Sequence, residues 1–181
     1  MFIESQGATM DTTDRQQFKD SDVGMFDRAA PIYGQVGTKQ FTYFANLLVD
    51  RLSVPQNGHI LDIACGRGAL LFPLAEKVGE NGHVLGIDLA PGMVSETTAE
   101  IVRRGLKQAD ILLKDGDAID FETNLFDMVT CGFALHFLDY DQTLPKILKV
   151  LKPGGVFAAI IPITVIDDDL VRWQWLFDLT K

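Results

Sequence analysis

The chain has 181 residues, 47% hydrophobic and 23% charged, which is enough apolar material for one globular domain with a core and excludes a disordered chain. Its net charge of −9 speaks against a nucleic-acid partner, because phosphate-backbone binders present basic faces; a neutral or cationic small molecule suits the balance better. The longest mostly apolar run, residues 155–166, is broken by Pro162 and Thr164 and falls short of the roughly 20 residues of a membrane span.

The start, MFIESQGATM, lacks a basic segment followed by an apolar signal core, so a cytoplasmic protein is expected. Residues 1–22 are polar and show no sustained period, which predicts a flexible arm. In GTKQFTYFANLLVDRL, Phe41, Phe44, Leu48 and Leu52 recur at helical spacing, which predicts an amphipathic helix within a helical cap over 23–55. The period then changes. HILDIA (59–64), HVLGID (83–88), ILLKDG (111–116), FDMVTC (126–131) and GVFAAIIP (155–162) are short and mostly apolar, as strands covered on both faces should be. The clearest intervening helix is DQTLPKILKVLKPGG, where Leu144, Ile147, Leu148 and Leu151 keep a helical stripe before Pro153-Gly154-Gly155 stops it. Alternating strand and helix imply a doubly wound α/β domain over 56–165 with a mainly parallel sheet and right-handed crossovers. Residues 166–181 read as a helical lid or the start of a truncated C-terminal part.

Ligands of such sheets bind beyond the carboxyl ends of the strands. The chemically notable residues follow strands: Ala64 to Gly68 after the first, Asp88 at the end of the second, Asp117 after the third, Gly132 and Phe133 after the fourth. Asp88 lies twenty residues after Gly68, where a carboxylate can accept from both hydroxyls of a ribose. The dinucleotide fingerprint is incomplete, because Leu71 and Ala69 stand where its last glycine would be, so a nicotinamide-dependent oxidoreductase is disfavoured. A nucleoside with a non-phosphate tail fits better. Cys65 and Cys131 have neither Cys-x-x-Cys nor His spacing, so no metal site or disulfide framework is expected.

LDIACGRG, then GIDLAPGMV, GDA, FDMVTCGFALHFL and LKVLKPGG, with FDRAAPIYG upstream, resemble in order and spacing the class I S-adenosylmethionine-dependent methyltransferases. The likeness covers roughly residues 23–165 and is greatest to the small-molecule group that includes the ubiquinone and menaquinone biosynthesis enzymes. Two positions depart from the pattern: Ala64 replaces a common glycine, and Gly34 replaces an acid after Tyr33. The resemblance implies a Rossmann-like fold and S-adenosyl-L-methionine as cofactor. By matching position, Asp62 and the backbone of Ala64, Cys65, Gly66 and Gly68 would hold the methionine end, and Asp88 the ribose. Leu89 and Met93 would pack on the adenine; Asp117 and the backbone of Ala118 would contact its amino edge, with Asp115 as the alternative acid. Cys131 and Phe133 would line the sulfonium side. Tyr33 would close over that side or pack in the hinge region, and His136 is either a general base or a packing residue at a helix start. Tyr43, Phe44, Trp173, Trp175 and Phe177 read as core or lid aromatics.

The expected activity is methyl transfer to an oxygen, nitrogen or carbon of a small-molecule acceptor by in-line displacement, which asks mainly for positioning. The rival is a catalytically inactive cofactor-binding subunit or fragment. The family's sheet carries two further strands after the fifth, and the sequence shows no segments for them, so the chain is expected either to self-associate as a homo-oligomer through the fifth strand and the C-terminal segment or to be of low stability.

Overall fold

The computed structural model describes residues 12–33 and 39–161. Trp173, Trp175, Phe177 and the expected lid over 166–181 lie outside the described residues. The elements in chain order are α1 (Thr12–Tyr33), α2 (Lys39–Arg51), β1 (His59–Ile63), α3 (Leu71–Val78), β2 (His83–Asp88), α4 (Pro91–Arg104), β3 (Ala109–Leu113), β4 (Phe126–Gly132), α5 (Tyr140–Val150) and β5 (Leu151–Ile160). Short helical turns at Gly116–Ala118 and Leu135–Phe137 follow β3 and β4.

The described strands form one sheet in the order β3-β2-β1-β4-β5, every neighbouring pair parallel. Side chains alternate across it as a strand's two-residue period requires. Ile60 joins one core cluster with Val49 of α2, Leu71 and Leu74 of α3 and Ile101 of α4. Leu61 and Ile63 join the other, with Val129 and with Ile147 and Val150 of α5. Both faces are therefore covered, and the expected doubly wound α/β architecture is present. Strand order reverses between β1 and β4, which is where such sheets open a crevice for ligands.

Four sequence expectations need correction. The helix α1 begins at Thr12, so half of the expected arm is helical; it has no long apolar stripe for periodicity to detect, and among its described side chains only Met25, Ala29 and Ala30 are buried. In α2 the fully buried positions are Phe41, Ala45 and Val49, while Phe44 is exposed and Leu48 and Leu52 are only partly buried. In α5 they are Thr143, Ile147 and Val150; Leu144 and Leu148 face outward. Finally, α5 stops at Val150 and Leu151 is already the first residue of β5. Leu151 pairs with Phe126 and Val156 with Met128, so Pro153-Gly154-Gly155 is an irregularity extruded within the strand and not the helix stop.

Candidate active site

The strand-end loops surround a cavity of about 1070 Å³. After β1 the backbone turns sharply: Ala64, Gly66 and Gly68 all have positive φ, at 51°, 52° and 78°. A Cβ at Gly68 would lie 2.5 Å from the Phe72 ring, so that position demands glycine on space as well as conformation. At Gly66 a Cβ would meet no protein atom within 4 Å, which leaves conformation as the internal reason for glycine. Ala64 makes the same left-handed turn with a side chain. The turn is held by Asp88 at the end of β2, whose carboxylate accepts from the Gly66 N–H at 2.8 Å and from the Ala90 N–H at 2.9 Å. Burial raises the Asp88 pKa, and the N–H groups of Ala90, Gly66 and Leu89 oppose that shift. Each carboxylate oxygen keeps lone-pair capacity for a further donor.

Asp62, on β1, is buried, and its Oδ1 accepts from the Thr130 hydroxyl at 2.8 Å. Its Oδ2 has no hydrogen-bond partner among the described residues. Burial pushes its pKa up to about 7; the Thr130 hydroxyl and the nearby Leu71 N–H oppose this and the charge of Asp88 adds to it. A void of about 20 Å³, bordered by Asp62, Ala64, Cys65, Gly132 and Phe133, lies beside it. That is room for one water, and Ala64, Cys65, Gly132 and Phe133 border the large cavity too.

Of the residues expected at the site, Tyr33, Ala64, Cys65, Gly66, Gly68, Asp88, Leu89, Met93, Phe133 and His136 line the large cavity. Asp62 stands behind the wall. Cys131 is in the core on the α5 side, because strand alternation turns it away while its neighbour Gly132 faces the cavity. Burial keeps both thiols protonated, pushing Cys131 up to about 12 and Cys65 well above its ordinary value. Asp117 and Ala118 are off the wall as well. The Asp117 carboxylate points into the protein, accepting from the Asp139 N–H at 2.8 Å and from the Thr143 hydroxyl, and pairing with Lys19 at 2.5 Å. Burial alone would raise its pKa, but Lys19, Thr143 and the Asp139 N–H outweigh this and hold it low. The acid that faces the cavity after β3 is Asp115, which also pairs with Lys19 at 2.8 Å.

His136 is solvent-exposed at the rim and makes no hydrogen bond with a described residue; partial burial of its ring lowers its pKa. Tyr33 stacks on Phe41 at 6.0 Å between centroids, and burial with the Asp88 charge raises its pKa.

Sequence reading missed the wall that α1 contributes. Lys19, Asp22, Val23 and Met25 line the cavity beside Phe26 and Tyr33. The helix is moored to three strand-end segments: Lys19 to Asp115, Asp27 Oδ1 to the Gly92 N–H at 2.5 Å, and the Ala30 carbonyl to the Arg67 guanidinium at 2.8 Å. Arg67 also pairs with Glu96 at 2.7 Å. Only FDRAAPIY carried a signal for this; Lys19 sits in a segment without a pattern.

With that geometry in place, comparison with known proteins gives the class. Residues 60–155 match the model of the methyltransferase domain family, more than half of the 181 residues, and the chain belongs to that family. It is 40% identical over 140 residues to the aklanonic acid methyltransferase DauC of Streptomyces sp. (strain C5), across 76% of this chain and 63% of that one. It is 40% identical over 132 residues to the nocamycin O-methyltransferase of Saccharothrix syringae, across 72% of this chain and 47% of that one. The chain thus spans only about half to two thirds of the length of these curated relatives. A SAM dependent methyltransferase from Aquifex aeolicus shares the fold, with TM-score 0.64, 20% identity and coverage of 92% of this chain and 87% of that one.

Proposed function

We propose that this protein transfers a methyl group from S-adenosylmethionine to a small-molecule acceptor. The observation that carries the reading is the convergence of four strand ends on one cavity, with Asp88 on its wall and Asp62 on a small void that shares Ala64, Cys65, Gly132 and Phe133 with that wall.

The residues present fit this cofactor. Asp88 can accept from two vicinal hydroxyls while keeping its two backbone donors. The orphaned Asp62 oxygen suits an ammonium group reached through a water, because a buried acceptor without a donor is costly and a cation removes the cost. Leu89 and Met93 offer an apolar platform for a base, and Asp115, in place of the expected Asp117, offers the acceptor for its amino group. When bound, the cofactor would supply an electrophilic methyl carbon on its sulfonium, whose carbon–sulfur bonding pair would leave with the sulfur.

The chain's own work is then to orient two reactants and exclude water, which supplies much of the acceleration for a displacement of this kind. His136 at the rim, held largely neutral at pH 7 by its lowered pKa, can take the acceptor's proton on a ring nitrogen. The acidic balance of the chain supports a small-molecule acceptor over nucleic acid. Among the described residues no helix is long and apolar enough to cross a membrane. The outer edge of β5, which no described strand covers, supports self-association.

Incubation with methyl-labelled S-adenosylmethionine and a panel of hydroxylated and carboxylated small molecules tests the reading. Label should appear in an extracted acceptor, and His136→Asn should slow that transfer about tenfold or more while leaving cofactor affinity intact. Cofactor binding without transfer to any acceptor would favour the inactive-subunit alternative instead.

A further inference from the structure

Helix α4 holds the turn after β1 at two neighbouring points. Thr97 is wholly buried, and its hydroxyl donates to the Gly66 carbonyl at 2.8 Å. Glu96, one residue earlier, pairs with the guanidinium of Arg67, one residue later, at 2.7 Å. A threonine inside a helix can turn its hydroxyl back on the carbonyl four residues before it, as Thr98 does on Val94 at 2.8 Å. Thr97 instead donates out of its helix, to a residue 31 positions away in the chain.

The other polar group of Gly66 is held too, its N–H donating to Asp88 Oδ2 at 2.8 Å. Both peptide groups of this glycine are therefore fixed from outside the turn, one by the acid that ends β2 and one by a helix hydroxyl. Gly66 needs such restraint. Its φ is 52°, and a Cβ there would meet no protein atom within 4 Å, so neither a side chain nor close packing confines it. Glycine adopts either sign of φ with little preference, and a carbonyl set free would let the N–H swing away from Asp88. Thr97 is not among the residues that line the cavity, so any influence on a ligand passes through Gly66.

We propose that Thr97 is a positioning residue for the cofactor: its hydroxyl locks Gly66 so that the Gly66 N–H keeps the Asp88 carboxylate aimed at the ribose. The inference rests on the methyl-transfer reading, which assigns Asp88 to that ribose. A hydroxyl that only satisfied a buried carbonyl would contribute to stability and leave cofactor affinity alone.

The test compares the full wild-type chain with Thr97→Ser, which keeps the donor, and Thr97→Val, which keeps the branched shape and removes it. In calorimetric titration with S-adenosylhomocysteine, the valine form should bind about five- to twentyfold more weakly and the serine form within about twofold of wild type. In the ligand-free protein, hydrogen exchange of the Gly66 amide, followed by NMR, should quicken about tenfold or more in the valine form only, with Ile60 and Val129 still protected. Thr97→Ala is a second donor-free form should valine not fold, and must show both changes. Wild-type affinity without the donor, equal weakening by serine and valine, or unchanged exchange at Gly66 would each overturn the proposal. Failure of the wild-type chain to bind S-adenosylhomocysteine would sink the cofactor assignment instead, and the exchange comparison would still decide whether Thr97 locks the turn.

Discussion

The Asp62 carboxyl is buried, one of its oxygens lacks a partner, and its pKa is pushed up to about 7 from an ordinary 3.8. Because the folded value lies above the unfolded one, the stability Asp62 contributes is fully present below about pH 3.8 and is lost as pH rises through about 7. Ionising it in the empty protein costs on the order of 4 kcal/mol. Asp62→Asn should therefore flatten the fall of Tm between pH 4 and 7 seen in thermal melts. A cation held near Asp62 stabilises its ionised form, so S-adenosylmethionine binding near pH 7 should release protons, read by calorimetry in buffers of different ionisation enthalpy. Ala64, at φ 51°, carries a left-handed cost of about 1–2 kcal/mol, of which glycine's extra unfolded-state entropy offsets about 0.4–1. Ala64→Gly should stabilise by about 0.5–1 kcal/mol, measured by urea denaturation. The motif residues were legible in sequence because turn chemistry is local. Which of Asp115 and Asp117 faces the cavity was not, because it depends on Lys19 and Thr143, 96 residues before Asp115 and 26 residues after Asp117. Asp115→Ala should accordingly weaken cofactor binding, whereas Asp117→Ala should mainly lower Tm.

The central strands β1 and β4 were readable because both of their faces are covered, giving apolar runs that polar helices do not imitate, whereas β3 and β5 keep apolar runs although Leu112, Leu113 and Val156 are exposed. Helix faces were read less well for a definite reason. In α5 the burial of Thr143, satisfied by Asp117, rotates the inward face away from Leu144 and Leu148, and periodicity in hydrophobicity alone does not register a buried hydroxyl. The N-terminal half of α1 was invisible for the opposite reason: polar contacts at Lys19, Asp27 and Ala30 moor the helix, with little apolar burial among its described side chains. Elements held this way open more readily than core elements. Lys19→Ala should leave two partly buried acids without their cation and weaken the N-terminal half of α1 by about 1–3 kcal/mol. Hydrogen exchange should then quicken in α1 while β1 and β4 stay protected; uniform loss across the fold would show that Lys19 supports the whole domain.

At the scale of the whole molecule, the sheet brings the ends of β1 to β4 to one side and closes them with α1 and α2, so that a polar and an aromatic wall face a single cavity. Self-association through the outer edge of β5 would appear as a concentration-dependent mass in light scattering, and a concentration-independent monomer would mean that edge is shielded. The function itself hangs on whether the polar wall holds an adenosyl ligand at Asp88. Calorimetric titration of S-adenosylhomocysteine into the wild-type chain and into Asp88→Ala, both confirmed folded by thermal melting, decides this. Loss of charge-assisted hydrogen bonds worth about 1.5–3 kcal/mol should weaken binding on the order of ten- to a hundredfold; no binding to the wild type, or equal affinity in the two proteins, would contradict the account.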